Sequence, residues 1–205
     1  DIVLGDRQAR AKDFFSCIAD RWDTIREEFD HPDIRIGAIS ALVTPKLKIL
    51  DIGTGTGAML PVFAAVAESV VALDNSEAML ARARALCRTE GLENVQFCKA
   101  DVGDIPFADA QFDACNCSMV LHHVVQPEAA LAEMARVVRP GGHLMVTAFC
   151  RHDQAWMRDE LAHQRLGFDR SEMEDLFTAA GLVLKNYLVR GRSPGLRSAG
   201  DTVRW

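Results

Sequence analysis

Short apolar runs alternate with segments of helical periodicity along the chain after Pro45. Apolar runs between turn residues predict buried strands, and apolar residues spaced every three or four positions predict helices that cover them. The predicted strands are one that ends at Ile52 and those over 69–74, 95–99, 112–119, 143–149, 182–189 and 201–205. Strands and helices that alternate in this way favour an α/β fold with a mostly parallel sheet.

The first 45 residues show helical spacing of apolar residues, interrupted at His31-Pro32, and no strand pattern. A helix with one apolar face needs a surface to lie on. We expect residues 1–45 to form a helical lid over the ligand site of a domain that spans residues 46–205. Plain packing of these helices on the sheet is an equally good interpretation for any single residue.

The first strand runs into a glycine-rich turn, Asp51-Ile52-Gly53-Thr54-Gly55-Thr56-Gly57-Ala58. Glycines allow a sharp turn and let a ligand approach main-chain N–H groups. Gly53-x-Gly55-x-x-Ala58 satisfies the loose dinucleotide fingerprint. The additional Gly57, and Asp51 two residues before the first glycine, give a different pattern, Asp-x-Gly-x-Gly-x-Gly. The turn alone does not choose between the two cofactor classes.

An acidic residue, Asp74, closes the second predicted strand, about 20 residues beyond the turn, where a carboxylate can accept hydrogen bonds from ribose hydroxyls. This spacing suits an adenosyl cofactor and NAD alike. Asn75 follows it, and Met79 on the first turn of the next helix is placed to pack against an adenine ring.

Composition narrows the ligand class. The net charge of −6 argues against a nucleic-acid surface, which needs clustered Lys and Arg, and makes a small molecule the better expectation. We expect no membrane span, because no apolar run approaches the roughly 18 residues that one requires. The six cysteines include no Cys-x-x-Cys pair and no zinc-like spacing with histidine, so we expect reduced thiols, a cytoplasmic protein and no metal.

Several segments together resemble a class I S-adenosylmethionine (SAM)-dependent methyltransferase of the UbiE-like group. They are Asp51 to Gly57, Asp74, Asp101, Phe112 to His123 and Val138 to Gly142. The resemblance implies a Rossmann-like sheet of seven mostly parallel strands, in the order 3-2-1-4-5-7-6 with the last strand antiparallel. It also implies SAM as cofactor and S-adenosylhomocysteine as product.

The resemblance assigns roles to individual residues. It implies that Asp51, Gly53, Thr54, Gly55 and Gly57 hold the methionine end of the cofactor. Asp101 would accept a hydrogen bond from the adenine amino group, and Val102 would offer its main-chain N–H to a ring nitrogen. The stretches 14–23 and 152–168 are also similar to methyltransferase domains fused behind arsenic-repressor-type regulators.

Methyl transfer from a sulfonium is an in-line displacement, so the protein mainly positions the acceptor and excludes water. A hydroxyl or acidic carbon also needs a general base, for which histidine is suited. We expect His122 and His152, near strand ends, to fill this role for a small-molecule acceptor, in a monomer or homodimer. A non-catalytic SAM-binding regulatory module and an NAD-dependent oxidoreductase are the alternatives.

Overall fold

A computed structural model of the chain describes residues 47–161 and 163–189. The expected lid over residues 1–45 and the last expected strand, 201–205, lie outside these described residues. The domain boundary at residues 45 and 46 therefore stays a prediction.

Five strands and five α-helices alternate through the described residues. The strands are β1 (Lys48–Ile52), β2 (Ser69–Asp74), β3 (Val95–Lys99), β4 (Phe112–Ser118) and β5 (Val138–Thr147). The helices are α1 (Leu60–Val66), α2 (Glu77–Glu90), α3 (Pro127–Val137), α4 (Trp156–Leu161) and α5 (Arg170–Ala179), and a 3₁₀ turn spans Leu121–His123. The α/β class predicted from the sequence is confirmed.

The five strands form one parallel sheet in the order β3-β2-β1-β4-β5. β1 is central, with Asp51 opposite Ala72 of β2 and opposite Asn116 of β4. The order reverses beside β1, because β2 lies on one side of it and β4 on the other. The carboxyl ends of β1, β2 and β4 therefore meet at one edge, which is where ligands bind in open α/β sheets.

Apolar residues on both faces of the sheet are buried by helices. One cluster joins Leu50, Leu131, Met134 and Phe177, so α3 and α5 cover one face. A second cluster joins Leu60, Val70, Ala72 and Ala83, so α1 and α2 cover the other. Successive side chains of a strand point to opposite faces, which explains why these strands read as nearly continuous apolar runs.

Three local predictions differ from the structure. Residues 182–189, expected to be a strand, form none among the described residues, so the seven-strand count and order are not confirmed. β5 spans Val138–Thr147 rather than the predicted 143–149, and its register against β4 shifts between Phe112 and Ala114. The pattern Ser171-x-x-Glu174 also predicts a capping box, but α5 begins at Arg170, so Asp169 occupies the N-cap position and Ser171 lies inside the helix.

The acidic residues at the start of α5 pair with arginines. Glu172 accepts from Arg165 at 2.8 Å and also pairs with Arg151, while Glu174 accepts from Arg170 at 2.7 Å.

The third glycine of the turn has a packing role that gives a testable prediction. Gly57 has φ +89°, and a Cβ there would lie 2.9 Å from Leu60 Cδ1 and 3.3 Å from Ala83 Cα. Gly91 also has a positive φ, +66°, but nothing lies within 4 Å of its Cβ position. We expect Gly91→Ala to lower the free energy of unfolding by about 1 kcal/mol through backbone strain alone.

Gly57→Ala adds the contact with α2 to the same strain, so it should cost roughly 1–3 kcal/mol more. Urea unfolding followed by far-UV circular dichroism measures both variants. Equal losses in the two variants would show that the approach of the turn to α2 is unimportant.

Candidate cofactor site

A cavity of about 730 Å³ opens at the carboxyl edge of the sheet. Seven of the residues predicted to bind the cofactor line it. They are Gly53, Gly55, Asp74, Asn75, Met79, Asp101 and Val102. The other three, Asp51, Thr54 and Gly57, do not line it. Sheet topology thus brings together residues separated by up to about 50 positions in sequence.

The first two glycines of the turn both have a positive φ, but for different reasons. Gly53 has φ +65°, and a Cβ there would lie 2.2 Å from Val120 Cγ2. Gly55 has φ +56° and nothing within 4 Å of its Cβ position. Gly53 is therefore required by packing and Gly55 by backbone conformation, and the space beside Gly55 is open to a ligand.

Asp74 ties the turn after β1 to the end of β2. Its Oδ2 accepts from Gly55 N at 2.8 Å and its Oδ1 accepts from Ser76 N at 2.8 Å. Ser76 in turn caps α2 by accepting from Met79 N at 3.4 Å. Each carboxylate oxygen keeps a lone pair for a further donor, so Asp74 can hold the turn and a diol together.

Asp101 follows β3 and also lines the cavity. It is exposed, and its Oδ1 accepts from Gly103 N at 2.8 Å. Val102 follows it, and Met79 on α2 is 43% exposed. An apolar slot edged by a carboxylate matches the needs of a purine ring, which stacks on apolar side chains and donates through its amino group.

Asp51 is buried beneath the turn. Its Oδ2 accepts from Thr54 Oγ1 at 2.7 Å, and its Oδ1 accepts from Asn116 Nδ2 at 2.6 Å. Burial raises the pKa of Asp51, the bonds from Asn116 and Thr54 oppose this, and Asp74 adds to the rise. Asn116 Oδ1 is buried and has no hydrogen-bond partner among the described residues.

The two histidines predicted to be catalytic lie outside the cavity lining. His122 is 2% exposed, and His152 is half-buried with Nδ1 accepting from Gln154 N at 3.1 Å. Burial, followed by the neighbouring His123, His163 and His152, lowers the pKa of His122 to about 3. Burial also lowers the pKa of His152. His122 is therefore a weak base at neutral pH.

His123 is the histidine that lines the cavity among the described residues, and it is exposed. It stands with Met119, Val120, Val124 and Val125 on the wall that follows β4. The sequence analysis selected His122 and His152 and missed His123. No local signal could have found it, because the difference depends on the backbone after β4, where Met119 has φ +59°, an unusual value for a residue with a side chain.

Comparison with known proteins defines the class of this domain. Residues 50–146 match the family model described as "Methyltransferase domain". The match covers β1 to β5 and every element that lines the cavity. These residues are therefore similar to a methyltransferase domain, and SAM is the methyl donor that the sequence predicted for this class.

Three relatives carry the names of enzymes of menaquinone or ubiquinone biosynthesis. The chain is 42% identical to the demethylmenaquinone methyltransferase of Clavibacter sepedonicus over 102 residues, 50% of this chain and 41% of that protein. It is 32% identical to the enzyme of the same name from Renibacterium salmoninarum, over 71% of this chain and 61% of that one. It is 30% identical to the ubiquinone/menaquinone biosynthesis C-methyltransferase UbiE of Ectopseudomonas mendocina, over 74% of this chain and 62% of that protein.

The chain thus spans between 41% and 62% of the length of these three relatives. Among solved structures, it resembles a SAM-dependent methyltransferase from Aquifex aeolicus with a TM-score of 0.58 at 23% identity, over 83% of this chain and 89% of that one. It also resembles the [4+2]-cyclase SpnF with a TM-score of 0.64 at 26% identity, over 76% of this chain and 58% of that one. These likenesses confirm the Rossmann-like methyltransferase fold. No helix among the described residues has the length and apolar character to span a bilayer.

The burial of Asp51 predicts a pH-dependent cost to stability. A raised folded-state pKa favours the protonated form in the folded protein. The contribution of Asp51 is therefore most favourable below the unfolded-state value of about 3.9 and is lost as the pH rises through the folded-state pKa. We expect Asp51→Asn to increase the free energy of unfolding at neutral pH, with a gain that shrinks as the pH falls.

Asp113 provides a control of opposite sign. The backbone N–H of Lys48, at 2.7 Å, and then Arg139, at 2.6 Å, lower the pKa of Asp113. Its stabilisation is present above the unfolded-state pKa and is lost as the pH falls through the folded-state pKa. Asp113→Asn should therefore lower stability at neutral pH and have little effect in acid. Urea unfolding from about pH 4 to 8 tests both, and a loss of stability in Asp51→Asn at neutral pH would contradict the argument.

Proposed function

We propose that the chain transfers the methyl group of SAM to a small-molecule acceptor that binds on the His123 side of the cavity. The observation that carries this proposal is the convergence of the Gly53–Gly55 turn, Asp74 and Asp101 on one cavity. Adenine, ribose and an amino-acid tail require an apolar slot, a diol acceptor and a turn that leaves room for the tail. Met79 with Asp101, Asp74, and the glycines of the turn support these three roles, because all of them line the cavity.

Asp74 would accept both ribose hydroxyls, since each of its oxygens is committed to a single N–H donor. Asp101 and Val102 would bind the adenine edge, with Met79 against the ring. Asn75 would lie beside the ribose, after Asp74. Asp51 and Thr54 would act from beneath the turn as positioning residues, because they bond each other and do not line the cavity. Gly57 would serve the same turn through its packing on α2.

The wall that follows β4 is suited to an apolar acceptor. Met119, Val120, Val124 and Val125 line it, and Val125 is 73% exposed. The relatives carry the names of enzymes that methylate demethylmenaquinone and quinone precursors at carbon. We infer that the acceptor is an aromatic ring carbon of a reduced quinone or a similar hydroxylated ring.

The chemistry of such a ring places a requirement on the site. Loss of the phenolic proton makes the adjacent ring carbon nucleophilic, and this carbon attacks the methyl group as the carbon–sulfur bond breaks. S-adenosylhomocysteine leaves, and the ring carbon then loses its own proton to restore the aromatic ring. A group beside the acceptor must take the phenolic proton or stabilise the phenolate.

His123 is the residue that we place beside the acceptor, because it lines the cavity. The prediction for His122 and His152 stays a prediction; in our proposal they support this wall from behind. The similarity of residues 152–168 to methyltransferase domains fused to arsenic-repressor-type regulators is a finer hypothesis. The genomic sequence upstream of the codon for Asp1 tests it.

The cofactor assignment is tested by calorimetry with SAM, S-adenosylhomocysteine and NAD. We expect the two adenosyl ligands to bind and NAD not to bind. Asp74→Asn should weaken SAM binding by about 10- to 100-fold, because hydrogen bonds to a charged group are worth roughly 1.5–3 kcal/mol. Asp109→Asn is the matched control, since Asp109 pairs with Arg136 away from the cavity. Equal affinities in the two variants would remove Asp74 from the cofactor site.

Methyl transfer is tested by single-turnover assay with methyl-labelled SAM and the reduced form of demethylmenaquinone. We expect label in the ring product and at least a tenfold lower rate for His123→Ala with SAM affinity retained, within the range for loss of acid–base help. SpnF is named as a cyclase although it shares this fold. SAM binding without label in this product or in any product from cell extract would therefore exclude methyl transfer and leave a cofactor-binding module.

A further inference from the structure

Three histidines from two distant segments meet behind the acceptor wall. His122 and His123 belong to the 3₁₀ turn after β4, and His163 follows α4. One ring nitrogen from each lies within 4.8 Å of the others. The ring centroids are 4.4 Å apart for His122 and His123, 4.3 Å for His122 and His163, and 4.8 Å for His123 and His163.

The backbone holds these segments together. The carbonyl oxygen of His122 accepts from Gln164 N at 2.9 Å and from Arg165 N at 3.1 Å, and His163 N donates to Met157 O at 3.2 Å. Phe149 packs against the rings of His122 and His163, with centroids at 4.9 and 5.5 Å. The cluster is therefore built into the fold.

The two buried members carry polar atoms that the described protein does not satisfy. His122 is 2% exposed and His163 is 4% exposed. Nδ1 of each is buried and has no hydrogen-bond partner among the described residues. Buried polar atoms are paired in the great majority of cases, so two orphans in contacting rings point to a missing ligand.

The cluster offers the type of ligand that late first-row transition metals bind in proteins. Each of the three histidines supplies one ring nitrogen to it. A neutral imidazole has one nitrogen lone pair, and this is the commonest metal ligand in proteins.

We propose that His122, His123 and His163 bind one divalent late first-row transition metal ion, with Zn²⁺ as the reference ion, at the border of the cofactor cavity. Zinc–nitrogen bonds of about 2.0–2.1 Å in a tetrahedral site place the nitrogens roughly 3.3 Å apart, so the rings must close in by about 1.5 Å. His152 is not a ligand in this set, because its Nδ1 lone pair already accepts from Gln154 N.

Three protein ligands leave one position of a tetrahedral ion open, as in catalytic zinc sites. Because His123 also lines the cavity, that position would face the acceptor. The ion would bind the phenolate oxygen of an acceptor and lower the pKa of its hydroxyl. His123 would then act on the acceptor as a metal ligand and not as a proton acceptor.

The expectation of no metal site came from spacing along the chain, which cannot detect this set. His122 and His123 are adjacent, and His163 lies about 40 residues further on. The inference rests on the geometry of the cluster and does not require methyl transfer. Calorimetry with SAM reports on the cofactor site separately, so the two proposals can fail independently.

The experiment uses the full chain without an affinity tag, treated with chelator and then dialysed against Zn²⁺ or Co²⁺. We expect one ion per chain by elemental analysis, a Co²⁺ visible absorption spectrum, and a rise in melting temperature on adding Zn²⁺. His123→Ala, at an exposed position, and His163→Ala should each weaken Zn²⁺ binding by at least the roughly 10- to 100-fold that outer-shell changes cost.

His143→Ala is the matched control, because His143 is exposed on β5 and opposite Ala114 near the far end of β4. It should bind Zn²⁺ and show the same rise in melting temperature as the unaltered chain. His122→Phe keeps the ring volume and guards against a folding defect, and it should melt cooperatively without responding to Zn²⁺. No bound ion in the unaltered chain, or equal binding by the His123 and His163 variants, would overturn the proposal.

Discussion

The site depends on the two hydrogen bonds by which Asp74 accepts from Gly55 N and Ser76 N. They fix the turn after β1 to the end of β2, and Thr54 N adds a bond to Leu73 O at 3.0 Å. Parallel pairing of β1 with β2 brings these atoms to the same level of the sheet. The turn that lines the cavity is thus held in place before any ligand arrives, which lowers the cost of binding.

The same edge stores unfavourable energy in two places. Met119 adopts left-handed backbone although it carries a side chain, and the carboxyl group of Asp51 is buried. Each costs stability, and each has a compensating contact: Met119 N donates to Thr147 O at 2.8 Å, and Asp51 accepts from Thr54 and Asn116. Strain and buried charge concentrated at one sheet edge are characteristic of functional sites.

The sequence was informative where local pattern and topology agree. β2 and β3 have the bounds that their apolar runs predict, and Asp74 and Asp101 reach one cavity because each follows a strand of the same parallel sheet. It failed where long-range pairing decides. α5 begins at Arg170, before the Ser171 that the local pattern predicts as its cap, and residues 182–189 form no strand among the described residues.

The choice among histidines shows the same limit. His122 and His123 are adjacent, yet one is buried and the other lines the cavity, because the left-handed backbone at Met119 and the 3₁₀ turn set their directions. Nothing in the sequence indicates such a reversal at a methionine. The contact of His163 with both is likewise set by a backbone connection, Gln164 N to His122 O, across about 40 residues.

The short segment from Val120 to His123 therefore contacts the glycine turn and also carries two histidines of the cluster. Val120 packs on Gly53, where even a Cβ would not fit, and His122 and His123 follow directly within the same turn. The histidine cluster is also anchored from its other side, because Arg165 pairs with Glu172 on α5 and donates its N–H to His122 O. A displacement of this turn would move the cofactor loop and the histidines together, since packed contacts at such short range leave no room for independent adjustment. The cavity lining beside Gly53 and the histidine cluster are in this way fixed by a single piece of backbone.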